Sequence, residues 1–184
     1  MLPTSALVHL DFLENNGTFL EFGSDAAFLT GCPDYDEDAS VVQVNDSGGL
    51  NLPNGLVATP GSLQSLGNPS WCLDMDDQAN ACGITPSALS VVFITTNSAT
   101  FQLPGFGCAP GSAGEIMIDP TSIGMLSGPI ARVGPGQPAT HCFAISADPA
   151  ICGLLCFGQG VFLDRQGPSG PGVLTNRIDA IVGS

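Results

Sequence analysis

The sequence predicts an all-β protein: an antiparallel β-sandwich or jelly-roll-like fold, stapled by disulfides and carrying long Gly/Pro loops. Three observations predict it. Short apolar runs of strand length recur along the chain, and no long run of helical period does. The 24 Gly and 15 Pro among 184 residues punctuate those runs without the sustained triplet period of collagen, and a 43% apolar content is too high for a disordered chain. Seven cysteines occur without any Cys-x-x-Cys pair. That usage reads as structural disulfides in an oxidising compartment and not as zinc knuckles. One β-rich domain over 1–184 suits this length, with a soft boundary near 55–70 between N-terminal strands with an acidic loop (1–58) and a C-terminal sandwich module (59–184).

Taken in order, Val8, Leu10 and Phe12 alternate with His9 and Asp11, the pattern of a half-buried strand. A turn at Glu14-Asn-Asn-Gly17 leads to Phe19-Leu-Glu-Phe22, so residues 7 to 22 predict a hairpin with His9 on its solvent side. Asp34, Asp36 and Asp38 then alternate as the opening of a calcium loop does, because oxygen ligands two residues apart can converge on one ion. An EF-hand is rejected, since its sixth position holds Ala39 in place of Gly and its twelfth holds Asn45 in place of Glu. The alternatives are a looser Ca2+ site and a solvated acidic loop. After a short apolar run beginning at Val41, the Asn45–Gly49, Asn54-Gly55 and Pro60-Gly61 stretches are turns.

Cys72 and Cys82 bracket Asp74, Asp76 and Asp77. The spacing predicts a local disulfide closing an acidic loop, with the same weak capacity for a cation. Trp71, beside Cys72, reads as packing. Leu89–Ile94 is the most hydrophobic strand candidate and predicts a central position. Ala99–Leu103 and Glu115–Asp119 are further strands around a turn region that contains Cys108, and residues 121 to 139 read as turn-rich. His141–Ile145 follows, then a single helical turn at Asp148–Gly153. Ile151–Asp164 and Val173–Gly183 are two apolar runs around a Gly/Pro loop, the pattern of neighbouring strands closing a sheet. Cys152 and Cys156, four apart, face one way on a strand and are either core thiols or bridged to Cys142, Cys108 or Cys32. Seven is odd, so at least one cysteine is free or links to another molecule.

The residues Leu103-Pro-Gly-Phe-Gly-Cys108, Ile118-Asp-Pro120, Ile145–Gly153, Phe157-Gly-Gln159, Leu174-Thr-Asn176 and Asp179 through Gly183 carry a resemblance. Over about 85–184 the chain resembles a C-terminal β-rich module of secreted and surface proteins of planctomycetes and related environmental bacteria. Arg177 and the cysteines at 142, 152 and 156 depart from that pattern. The resemblance implies secretion and β-architecture, and it brings no catalytic residues.

Charge narrows the partners. Seventeen acidic side chains face three basic ones, Arg132, Arg165 and Arg177, for a formal charge of −14. Such a chain repels nucleic acid and anionic membranes and suits cations, basic partners or a salty medium. No apolar run is long enough for a transmembrane helix, and the opening residues lack a basic leader region, which points to a secreted protein already trimmed. Asn16-Gly-Thr18 and Asn45-Asp-Ser47 have the glycosylation spacing. A hydrolase would have to use His9 or His141, the latter beside Asp148, but no Gly-x-Ser-x-Gly elbow exists. A single Trp and a single Tyr (Tyr35) leave little platform for sugars. The expectation is therefore a non-enzymatic extracellular or cell-surface structural or adhesive protein, self-associating or bound to other surface proteins. A calcium-binding interaction module is the alternative, with Asp34, Asp36, Asp38, Asp74, Asp76 and Asp77 as the candidate ligands, and a hydrolase is a third.

Overall fold

The two apolar runs at the C-terminal end do pair, as neighbouring central strands of the larger sheet. In the computed structural model, residues 42–44, 50–163 and 170–183 are described. The predicted hairpin at 7–22, His9, Cys32, Tyr35 and the Asp34, Asp36 and Asp38 cluster lie outside the described residues. A five-stranded antiparallel sheet runs in the order β1 (Val42–Val44), β10 (Val173–Ile181), β9 (Leu155–Leu163), β4 (Leu89–Thr95) and β7 (Ile123–Ala131). A three-stranded sheet holds β2 (Leu56–Ala58), β3 (Trp71–Met75) and β8 (Ala139–Phe143), and β5 (Phe101–Leu103) pairs with β6 (Gly114–Ile116). Helical structure among the described residues is limited to single 3-10 turns at Pro120–Ser122 and Pro149–Ile151, each capped by the aspartate before it. No helix among them is long and apolar enough to cross a membrane.

The period-two pattern decides which side chains enter the core. On β4, Ser90, Val92 and Ile94 face inward and Leu89, Val91 and Phe93 outward. The three-stranded sheet answers with Trp71, Leu73, Met75 and Phe143, and both sets join one buried cluster with Phe162 and Ile178. Trp71 is 1% exposed and packs 5.9 Å from Phe143. Gly160 of β9 stands where the facing sheet presses closest: a Cβ there would lie 2.6 Å from the Met75 side chain.

Buried amides tie the layers together. The β10 ladder slips between Leu174 and Arg177, and the bulged residues replace the lost pairing with side chains. Asn176 pairs with both backbone groups of Leu56, each at 2.9 Å, and Thr175 Oγ1 accepts from Gly160 N at 2.9 Å. Gln159 points to the outer face, where its Nε2 donates to the Glu115 and Thr175 carbonyls at 2.9 and 3.0 Å. Its Oε1 accepts from Met117 N at 3.0 Å. Asn51 donates to the same two carbonyls at 2.8 and 3.0 Å and accepts from Glu115 N at 2.7 Å. These bonds clamp the β5–β6 hairpin over the outer face of β9 and β10. Deleting one such amide leaves buried partners unsatisfied, at about 1–3 kcal/mol each.

The structure corrects two expectations. Cys72 does not bridge Cys82. Cys72 lies on β3 directly opposite Cys142 of β8, with Cα atoms 4.0 Å apart, and the two are bonded. Cys82 bonds Cys108, whose Cα lies 4.7 Å away. Cross-strand register, invisible as spacing, outranks proximity in sequence. Cys152 is also disulfide-bonded, and it belongs to the turn before β9 and not to the strand. Among the described residues Cys156 is a free thiol, buried on β9, and burial pushes its pKa up.

The second correction is at 121–139, which holds the nine-residue strand β7 in place of a turn-rich stretch. Gly124, Gly128 and Pro129 look like breakers, but β7 lies at the end of the sheet, where its second edge needs no partner N–H. Two register shifts against β4 absorb the irregularity.

Candidate functional site

The carboxylates singled out between Cys72 and Cys82 do not converge on one point. Asp74 lies on the outer face of β3 and accepts from Thr140 Oγ1 at 2.6 Å. Asp77, 1% exposed, organises the loop after β3 by accepting from Ala81 N at 2.6 Å and Cys82 N at 3.1 Å. Asp76 accepts from Gly136 N at 2.7 Å and meets Arg132 Nη2 at 3.5 Å.

Arg132 is the residue that sequence reasoning passed over, having counted it only as one of three basic side chains. Its side chain is fully buried. Nη1 donates to the Ile84 carbonyl, and Nη2 donates to the Asp77 carbonyl at 3.1 Å. The loop thus surrounds a guanidinium held by the chain itself, in the surroundings the sequence suggested for a metal. Among the described residues no group of three or more His, Cys, Asp or Glu side chains is placed to hold a metal ion.

His141 sits in the core with no exposed surface, as does Ser90. Its Nε2 is 2.9 Å from Ser90 Oγ, and its Nδ1 is 3.2 Å from Ser127 Oγ. A serine beside a histidine invites a hydrolytic reading, but a substrate carbonyl has no way to reach a pair packed between two sheets. The Ser90 hydroxyl also donates to the Ile130 carbonyl at 2.9 Å. Asp148, the partner suggested by sequence, caps its own 3-10 turn by accepting from Ala150 N at 2.9 Å. The histidine is a polar core residue joining β8 to β4 and β7.

Burial holds the His141 pKa below the ordinary 6.5, against smaller opposing effects from its hydrogen bond at Ser127 and the charge of Asp74. The folded state therefore keeps the ring neutral where the unfolded chain would protonate it. As pH falls through about 6.5 the unfolded state gains a proton that the folded state refuses, and stability drops by up to about 1.4 kcal/mol per pH unit until the buried ring titrates. Urea midpoints at pH 7.5 and 5.5 are expected to differ more for the native chain than for His141→Gln. Equal differences would remove His141 as the cause, because carboxylate effects are common to both proteins.

The surface feature that stands out is the outer face of the five-stranded sheet. Cross-strand pairs Leu89–Leu163, Val91–Val161 and Leu126–Phe93 share that face. The β5–β6 hairpin covers part of it. Elsewhere on the face, Leu89 is 40%, Leu163 40% and Leu126 59% exposed. At the far end Arg177 forms a two-pronged pair with Asp179, at 2.7 and 2.9 Å, and lies 5.2 Å over the Phe157 ring. Both described arginines are thus committed internally, which leaves the remaining charge on the described surface acidic.

No family model, curated protein or solved structure matches the chain.

Proposed function

We propose that this chain is a non-catalytic, extracellular structural module that associates with copies of itself through the apolar outer face of its five-stranded sheet. The observation that carries the reading is that the cross-strand pair Leu89–Leu163 and, beside Phe93, Leu126 are apolar and open to water on a strongly acidic protein. Exposed apolar side chains gathered on one sheet face mark a contact site. The Cys72–Cys142 and Cys82–Cys108 disulfides support an oxidising, extracellular setting. The inaccessible Ser90–His141 pair supports a non-enzymatic role.

The sheet face suits association better than the sheet edges do. At one edge β1 is three residues long, and at the other β7 carries Pro129, which has no N–H to offer. Copies carrying −14 repel one another at low salt, so association strengthens as salt screens that charge. Sedimentation velocity and negative-stain electron microscopy under non-reducing conditions test this. The native chain is expected to assemble increasingly between 50 and 500 mM NaCl (chosen to span about a threefold change in screening length), and Leu126→Asp to remain monomeric with an unchanged unfolding midpoint. Monodisperse monomers of the native chain at high salt would end the proposal.

A further inference from the structure

On that sheet face, under the β5–β6 hairpin, lies a cavity of about 220 Å³. Its floor is the sheet itself: Phe93 of β4, Val161 of β9 and Leu174 of β10. Phe106, Ile116 and Ile118 wall it from the hairpin side. Ile123 and Leu163, 43% and 40% exposed, stand at a mouth open to solvent.

The chemistry of the lining excludes most occupants. The single polar side chain in it is Gln159, and both ends of that amide are spent on Met117 N and on the Glu115 and Thr175 carbonyls. An ordered water needs two to four polar partners, and this lining has none to spare. A charged group would lose its hydration with nothing in return. What remains is an uncharged apolar molecule, which gains dispersion contacts with the floor and walls and displaces water that is poorly bonded.

We propose that this cavity is a binding site for a small uncharged hydrophobic molecule, alkyl or aryl. Size follows from volume: engineered apolar cavities of about 150 Å³ take benzene, so a cavity half as large again takes a compact ligand of roughly ten carbon atoms. The floor is rigid, because Leu174 and Val161 are paired across the β10–β9 ladder. The roof is held by the Asn51 and Gln159 bonds to Glu115. The site is therefore formed before the ligand arrives, which removes an ordering cost from binding.

The probe is n-butylbenzene, titrated into the full chain with its Ile, Leu and Val methyl groups labelled for NMR. Saturable shifts are expected at the Ile116, Ile118, Ile123, Val161 and Leu174 methyls. Ile116→Phe, which fills the cavity from a half-buried position, is expected to weaken binding at least tenfold. Leu126→Asp, on the open face, is expected to leave it unchanged, which separates this site from the self-association surface. The carboxylate analogue 4-phenylbutyrate is expected to bind at least tenfold more weakly than n-butylbenzene. No saturable shift up to the solubility limit overturns the proposal. So does binding that survives Ile116→Phe in a folded variant, binding abolished by Leu126→Asp, or equal binding of the carboxylate.

Discussion

Arg132→Met is expected to lower the unfolding free energy by about 3–5 kcal/mol, a large part of the stability of a chain this size. Methionine matches the length of the arginine stem and supplies no donor. The Ile84 and Asp77 carbonyls would then be buried without their guanidinium partner. Asp76 contributes less, since it stands 3.5 Å away and its side chain keeps 15% of its surface in water. The balance between these effects is testable. Asp76→Asn combined with Arg132→Met in a double-mutant cycle is expected to show coupling below about 1 kcal/mol, the range of a partly solvated pair. Arg132→Lys keeps the charge but not the fork that reaches two carbonyls, so it is expected to fall between the native chain and Arg132→Met. Urea denaturation measures the native chain and the four variants. A native-like midpoint for Arg132→Met would show that the loop reorganises and that the guanidinium is dispensable.

The second large effect is expected from the disulfides. On chain-entropy grounds, Cys72→Ala with Cys142→Ala opens a 70-residue separation and costs about 4 kcal/mol. Cys82→Ala with Cys108→Ala opens a 26-residue separation and costs about 3.5 kcal/mol. The two bridges also do different structural work. The first joins adjacent strands of one sheet, while the second fastens the loop after β3 to the turn between β5 and β6. Loss of the second is therefore expected to loosen the hairpin first, with faster amide exchange at Glu115 and Met117 before the β9–β10 ladder is affected. Peptide mapping without reductant gives an independent check: linked peptides containing 72 with 142, and 82 with 108. A peptide linking 72 to 82 would contradict this register.

Several parts of the fold were legible from residue patterns because they depend on local chemistry. The 155–163 and 173–181 strands are apolar and bounded by Gly and Pro, so their pairing follows from composition and a loop of the right length. Leu89–Ile94 announced an interior strand by its hydrophobicity, and β4 is indeed paired on both sides. The 3-10 turn after Asp148 was visible as Asp-Pro, a cap followed by a ring that pre-sets φ. β7 was not legible, because Gly and Pro signal a turn unless an edge position tolerates them. Nor was the role of Arg132, because its partners are backbone carbonyls of residues 48 and 55 positions away. Backbone acceptors have no signature in sequence.

The sequence by itself determined that this chain makes short strands, that its net charge is strongly acidic, and that its cysteines outnumber what a reduced protein would carry. Those properties belong to residues and their immediate neighbours. Only the tertiary structure decided which cysteines meet, which aspartates are spent on backbone N–H groups, and which apolar side chains the outer sheet face exposes. Those outcomes depend on strand order and register, and a register shift of one residue would turn Leu126 inward and Met125 out.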